Sequence, residues 1–463
     1  MRRLTPALVL GLCALLATPL TASADEGTTG HGGHGGHGDY GDYESYGTKS
    51  PYAPGQNPRT YQRPPAGYVP VFTENVSRHG SRAATGGDDG ALILRLWDKA
   101  EADGELTPLG EEFGPDVRAL EAAMGKVGYG ALSGRGKDEL RATAVRLEQR
   151  LPGLFRTVAA NGEGIDVVSS GQERAVDSGT VFTTALTDSY PALKPLVGPA
   201  RVDKDLLYFH KSAGGAAYRK WLATDRRLAD TVKAVTDQPA THRAARRVLG
   251  RLFAPAFVQR VADGEFASVT DDIGAAQAVY NLYAIAPAMS EESPDGEGRH
   301  FERYLAPRDA AWFGYLSDAE DFYEKGPSFA DSDITYRMAD VLLDDFFKQA
   351  EAKRDGTSTL GAELRFTHAE EIIPLAALMR LPGSTRPATP GEPYTHAGNP
   401  WRGARVAPLG ANIQWDVFRN GDRYLVRMLY NEKETAFKAG CRPITRNSAF
   451  YDLDELERCF GRA

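Results

Sequence analysis

Hydrophobic positions along the chain alternate between short continuous runs and helical stripes. Tyr68 to Val76 is a run rich in β-branched and aromatic residues, which predicts a buried strand that stops at the turn-forming Ser77-Arg78-His79-Gly80. Apolar residues at helical spacing follow near Ala91 to Ala102 and from about Asp138 to Phe155. Ile165 to Val168 reads as a second buried strand, and Val176, Gly179, Phe182 and Leu186 then mark one face of a helix. Strand, loop and helix repeated in this order predict an α/β sheet with helices on both faces, where ligands sit at the carboxyl ends of strands.

Between about Asp205 and Arg354 the pattern changes to helices rich in Ala, Arg and Asp, for instance Asp331 to Ala352. Strand character returns at Glu363 to Thr367, Asn412 to Phe418 and Tyr424 to Leu429. The expected fold class is therefore α/β, with the sheet domain built from both ends of the chain (46–204 and 356–463) and a mainly helical cap, 205–355, inserted between them.

Composition narrows the function. The 463 residues are 42% hydrophobic and 25% charged with a formal charge of −8, which is ordinary globular material. Net acidity argues against a general nucleic-acid binder, because such proteins need basic surface to displace phosphate counterions. Arg2 and Arg3 precede the apolar run Ala7 to Ala17 and the small triplet Ala22-Ser23-Ala24, so residues 1–24 read as a secretory signal peptide, too short to span a bilayer. Cys13 belongs to that leader. The remaining pair, Cys441 and Cys459, is expected to form a disulfide in an exported, oxidising setting. No other long apolar segment exists, so no membrane partner is expected.

From Asp25 to Tyr68 there is no Val, Ile, Leu, Met, Phe or Trp. Such a segment cannot offset its own ordering entropy, and residues 25–45 are expected to be a flexible His/Gly-rich tail. His31, His34 and His37 are weak candidates for transition-metal ligands, against the plainer reading of a solvated tail. Pro51 to Pro65 reads as a proline-rich arm on the domain surface.

Chemistry concentrates where strands end. Arg78-His79-Gly80-Ser81-Arg82 sets an imidazole between two guanidinium groups, with a glycine expected to let backbone approach a ligand. Two cations oppose protonation of His79 and leave a neutral nitrogen free to act as a nucleophile, while arginines bind phosphate oxygens bidentately. Arg174, in Ser169-Ser170-Gly171-Gln172-Glu173-Arg174, sits at the second strand end beside a helix amino terminus. Phe366-Thr367-His368-Ala369-Glu370-Glu371 forms a third strand end, and Pro374 is expected in the first helical turn, leaving His368 and Glu370 in the loop. His368 is a candidate phosphate donor, and Glu370 or its neighbour Glu371 a candidate general acid. Each site alone fits a structural or solvated role; three on three strand ends point to phosphoryl transfer.

These motifs resemble the histidine acid phosphatase family, branch two of the histidine phosphatase superfamily, whose signature is Arg-His-Gly-x-Arg with a distant His-Asp. Here the second motif reads His368-Ala369-Glu370, which is similar to the multiple inositol polyphosphate phosphatases, the phytate-degrading members. The likeness extends to Tyr46-Gly-Thr-Lys49-Ser-Pro-Tyr52, Asp205-Leu-Leu-Tyr208-Phe209, Asp321-Phe-Tyr-Glu-Lys325-Gly326, Ala411-Asn412-Ile-Gln414 and the terminal cysteines. Ala84 stands where the family commonly has Pro. The resemblance implies that His79 is phosphorylated, that Arg78, Arg82, Arg174 and His368 hold the phosphate, and that Glu370 donates the proton. It also implies no cofactor and no metal requirement. The expected partner is a small phosphate ester of the inositol polyphosphate class, with Lys204, Lys211, Lys325 and Arg405 as candidate rim cations. The alternatives are a broad acid or sugar phosphatase and a non-catalytic secreted phosphate- or metal-binding protein.

Overall fold

A computed structural model describes residues 40–293 and 300–462. The leader, Cys13 and the histidines His31, His34 and His37 lie outside the described residues. The sheet runs β3-β2-β4-β1-β5-β6-β7, with β8 paired to β6. Its strands are β1 (Val69–Arg78), β2 (Gly164–Ser169), β3 (Arg201–Val202), β4 (Leu360–Thr367), β5 (Asn412–Asn420), β6 (Arg423–Tyr430), β7 (Lys433–Glu434) and β8 (Phe450–Asp452). β1, β2, β3 and β4 pair in parallel, whereas β5 joins β1 antiparallel and continues as a hairpin into β6.

The central strands are buried on both faces, as parallel strands covered by helices must be. Ile165, Val167, Leu364 and Phe366 face one core, while Val76, Val168, Ile413 and Trp415 face the other. The second core continues into the inserted helices, where it includes Val279 and Phe322. That insertion, from Lys204–Leu207 to Asp340–Arg354, is the expected helical cap.

Three helical expectations are corrected. The stripe from Asp138 to Phe155 is two helices, Gly134–Arg150 and Pro152–Asn161, because Pro152 forces Leu151 out of helical geometry to φ −123, ψ 46. The helix expected from Asp331 begins at Asp340 after a 3₁₀ turn, Arg337–Ala339, because Ser332 diverts the backbone by accepting the Ile334 amide. The helix after β4 spans Ala369–Leu378, so Pro374 lies in its interior and Glu370 in its first turn. The His368 carbonyl starts that helix by accepting the Glu371 and Ile372 amides. Pro108–Val127 forms a further helix without an earlier counterpart, capped by Thr107.

The 3₁₀ segment Tyr40–Lys49 begins inside the stretch expected as tail. The arm that follows lies along the β6–β7 edge: the Gly55 amide donates to the Asn431 carbonyl, and Tyr61 Oη to the Glu432 carbonyl. Cys441 and Cys459 form the expected disulfide. Among the described residues no helix is long and apolar enough to cross a membrane, and no His, Cys, Asp and Glu cluster is arranged to hold a metal ion.

Candidate active site

Register brings the three chemical motifs to one edge. Arg78 pairs with Thr367, and Ser169 with Phe366, so the carboxyl ends of β1, β2 and β4 finish level with one another. His79 is fixed at both backbone ends: its amide donates to the Thr367 carbonyl at 2.9 Å, and its carbonyl accepts the Gly410 amide at 2.9 Å. Its side chain is 2% exposed. His79 Nδ1 lies 3.0 Å from the Gly80 carbonyl oxygen. A carbonyl only accepts, so Nδ1 carries the proton and Nε2 keeps its lone pair. Burial, followed by Arg78, Arg82, His368 and Arg174, holds the imidazole well below its ordinary value and therefore neutral.

Around this ring, Arg78 Nε, Arg82 Nε, Arg174 Nε and His368 Nδ1 are buried without a hydrogen-bond partner among the described residues. Burying an unpaired donor is expensive, and four donors from three strand ends around one histidine are the signature of an oxyanion cradle. Arg78 donates from Nη1 to the carbonyls of Thr48 and Ala407, 2.5 Å each, which fixes the guanidinium plane. Burial lowers Arg78 and Arg82 to about 10, so both remain cationic at neutral pH. His368 Nε2 lies 2.8 Å from Ser170 Oγ, and that oxygen accepts the Gln172 amide. With the Ser170 hydroxyl as donor to Nε2, the proton of neutral His368 is carried on Nδ1, the nitrogen that has no partner among the described residues. Burial and Arg174 depress His368 to about 3.

The two adjacent carboxylates separate in role. Glu371 is fully buried, with Oε1 2.5 Å from His210 Nδ1 and Oε2 accepting from Thr367 Oγ1 at 3.0 Å. Burial pushes its carboxyl up. Glu370 keeps 36% of its side chain exposed and lies 3.9 Å from Lys325 Nζ. Burial pushes Glu370 up, but Lys325, His210 and Arg78 overcome it and hold the carboxyl at about 2. Of the rim candidates, only Lys325 meets this group: Arg405 pairs with Glu44, and Lys204 and Lys211 are exposed.

The glycine of the first motif has a different reason from the one expected. A Cβ on Gly80 would stand 2.5 Å from the Gly136 carbonyl oxygen, and one on Gly136 would stand 2.0 Å from the Ser81 carbonyl oxygen. Gly80 thus admits a helix backbone rather than a ligand. Glu139 completes that junction by accepting the Ser81 amide and hydroxyl, both at 2.8 Å. The loop around Ala84 is held without a proline, by Gly130 donating to the Ala84 carbonyl and Ala83 to that of Ala131. His210, Ser170 and Glu139 escaped the sequence reading; each acts by supporting a neighbour, and a lone polar residue carries no local signature of that.

Known proteins resemble this chain in sequence and fold. The sequence profile of the histidine phosphatase superfamily (branch 2) matches residues 72–431. Multiple inositol polyphosphate phosphatase 1 of Gallus gallus is 24% identical over 424 residues, covering 86% of this chain and 87% of that protein. The multiple inositol polyphosphate phosphatase of Bifidobacterium longum is 32% identical, with a TM-score of 0.86 for its phosphate complex over 90% of this chain and 97% of the other. Its complex with inositol hexasulfate superposes at 0.84 with the same coverage. The D. castellii phytase, at 15% identity and a TM-score of 0.63, shares the fold.

Proposed function

From the chain's membership of the histidine phosphatase superfamily (branch 2), we propose that it is a secreted phosphatase that removes phosphate from inositol polyphosphates, phytate included, through a phosphohistidine. The observation that carries the chemistry is the neutral His79, with Nδ1 donating to its own loop and unpartnered donors around it. His79 Nε2 attacks phosphorus in line with the ester oxygen, the P–O bond breaks, and Glu370 gives its proton to the departing alkoxide. Arg78, Arg82, Arg174 and His368 hold the three non-bridging oxygens as charge builds on them. The Glu370 carboxylate then takes a proton from water, which attacks phosphorus and breaks the P–N bond, releasing orthophosphate and restoring both side chains. A dianion in the cradle cancels the cationic field that keeps Glu370 ionised, so the bound ester itself raises that carboxyl toward a donating state.

The substrate class draws support from the Bifidobacterium relative, and secretion from the leader-like N-terminus and the Cys441–Cys459 disulfide. The test is phosphate release from phytate in the presence of a chelator, with products resolved by ion exchange beside His79→Ala. Turnover lost in the mutant and a preference for phytate over p-nitrophenyl phosphate are the expected results; turnover of the simple ester alone would make the protein a general phosphatase.

A further inference from the structure

The helical turn that carries Glu370 is loosely held by its own backbone. His368, which precedes the helix Ala369–Leu378, makes no side-chain cap to it, and the His368 carbonyl accepts the Glu371 and Ile372 amides at 3.3 and 3.2 Å. Both distances fall at the long end of the usual range. Pro374 has no amide proton to give the Glu370 carbonyl four residues earlier. The Glu370 side chain does not brace the turn through Lys325, whose Nζ stands 3.9 Å away, beyond hydrogen-bond reach.

The next residue does brace it. Glu371 is fully buried, and its two oxygens are held unequally. Oε2 lies 3.0 Å from Thr367 Oγ1, but that hydroxyl has one proton and lies nearer, at 2.6 Å, to the Leu207 carbonyl oxygen, which can only accept. Oε1 has His210 Nδ1 at 2.5 Å. His210 is therefore the firm anchor. Adjacent helical residues lie about 100° apart around the axis, so clamping Glu371 sets the roll at which Glu370 leaves the helix.

His210 is itself gripped from the cap. Its side chain is buried, and its ring meets that of Tyr208 edge-on with centroids 4.7 Å apart. The His210 carbonyl accepts from Arg219 Nη1 at 2.9 Å, and the same nitrogen donates to the Ser212 carbonyl at 2.6 Å. Arg219 belongs to the helix Ala216–Thr224. Gly215, just before that helix, packs so tightly that a Cβ there would stand 2.3 Å from the Phe209 carbonyl oxygen. The cap helix holds the loop of His210, and that loop holds the turn of the acid.

We propose that His210 is a positioning residue of the acid step: by anchoring Glu371 it fixes the turn that presents Glu370 to the departing oxygen. This rests on the reading of Glu370 as the proton donor of a phosphohistidine phosphatase. A misplacement of about 1 Å can cost on the order of 10²-fold in rate. Here the cost falls on leaving groups that need the proton and spares those that do not.

The test measures kcat and KM of the full mature chain on phytate and on p-nitrophenyl phosphate. His210→Phe keeps a ring in the space and removes the donor. It is expected to lower kcat on phytate roughly tenfold or more, with a much smaller change on the nitrophenyl ester and in either KM. His210→Met serves if the Phe variant does not fold. His210→Asn puts an amide nitrogen close to where Nδ1 stands and should recover most of the phytate rate. Glu371→Gln keeps an oxygen for Nδ1 and should leave the ratio of the two rates as in wild type. Equal losses on both esters would make His210 a packing residue, and no loss on phytate, or no recovery with Asn, would remove the anchor; each overturns the proposal. If Glu370→Gln slows phytate selectively while His210→Phe does not, only this inference falls. If Glu370→Gln slows both esters alike, the reading of the acid falls with it.

Discussion

Lys325 holds its ammonium 3.9 Å from the Glu370 carboxylate, while bonded to Asp321. In the free protein this keeps Glu370 at about 2, so it is ionised throughout the physiological range. Being depressed, the group contributes stability above the ordinary carboxylate value, and that contribution is lost as pH falls towards about 2. Lys325→Met should therefore raise the Glu370 pKa toward its ordinary value. The limb of the kcat/KM profile on which activity falls with rising pH is the measurement, and a limb unchanged from wild type would remove Lys325 from control of the acid.

His79→Ala should lower kcat by on the order of 10⁴-fold or more, because it removes the neutral imidazole that attacks phosphorus. Orthophosphate should still bind. Trapping the phosphorylated enzyme by a rapid alkaline quench, in which the P–N bond survives, would show the label on wild type and none on the variant.

Glu370→Gln is expected to slow phytate cleavage by roughly 10²–10⁴-fold and p-nitrophenyl phosphate far less, since nitrophenolate leaves without a proton. Glu371→Gln should differ. Its oxygens are committed to His210 and Thr367, so its loss should act on both substrates alike and on stability. Equal losses for Glu370→Gln on the two esters would take away its role as acid.

Gly136→Ala should disturb catalysis from outside the cleft. The added methyl would stand 2.0 Å from the Ser81 carbonyl oxygen, displacing the loop that carries His79 and Arg82. Overpacking of this kind costs about 1–3 kcal/mol. Chemical denaturation and kcat should both register the change; a fully active variant would mean the loop relaxes without moving the cradle.

Reducing the Cys441–Cys459 bridge, with a sequence separation of 18, should lower stability by roughly 3 kcal/mol in the chain-entropy treatment. Denaturant midpoints with and without reductant measure it. Because the bridge joins the segment after β7 to the C-terminal helix, activity per folded molecule should persist.

What was legible in the sequence was whatever a local pattern enforces. The strand before His79 and the strand before His368 announce themselves by continuous apolar runs, and the arginines by their spacing from the nucleophile. The tautomer of His79 was not legible, because it depends on the Gly80 carbonyl turning back on the ring. Nor was the division of labour between Glu370 and Glu371, which are equivalent as letters; a helix start one residue earlier separates the buried face from the cleft. Proline misled twice in opposite senses: Pro152 broke a helix expected to continue, and Pro374 was carried inside one expected to begin there.

The central position of β1 governs when the protein becomes an enzyme. Both neighbours of this strand, β4 and β5, are synthesised long after it; Asn75 on β1 receives the Arg365 amide from 290 positions further on. Contacts so distant in sequence form late, after the loop between them has been closed. A nascent chain that has not yet emitted residue 412 carries its nucleophile on a strand with one bare edge, and Gly410, which fixes the His79 carbonyl, is equally late. Assembly around His79 thus waits on the last stretch of the polypeptide, because the contacts that Gly410 and β5 make with the end of β1 come only from residue 410 onward.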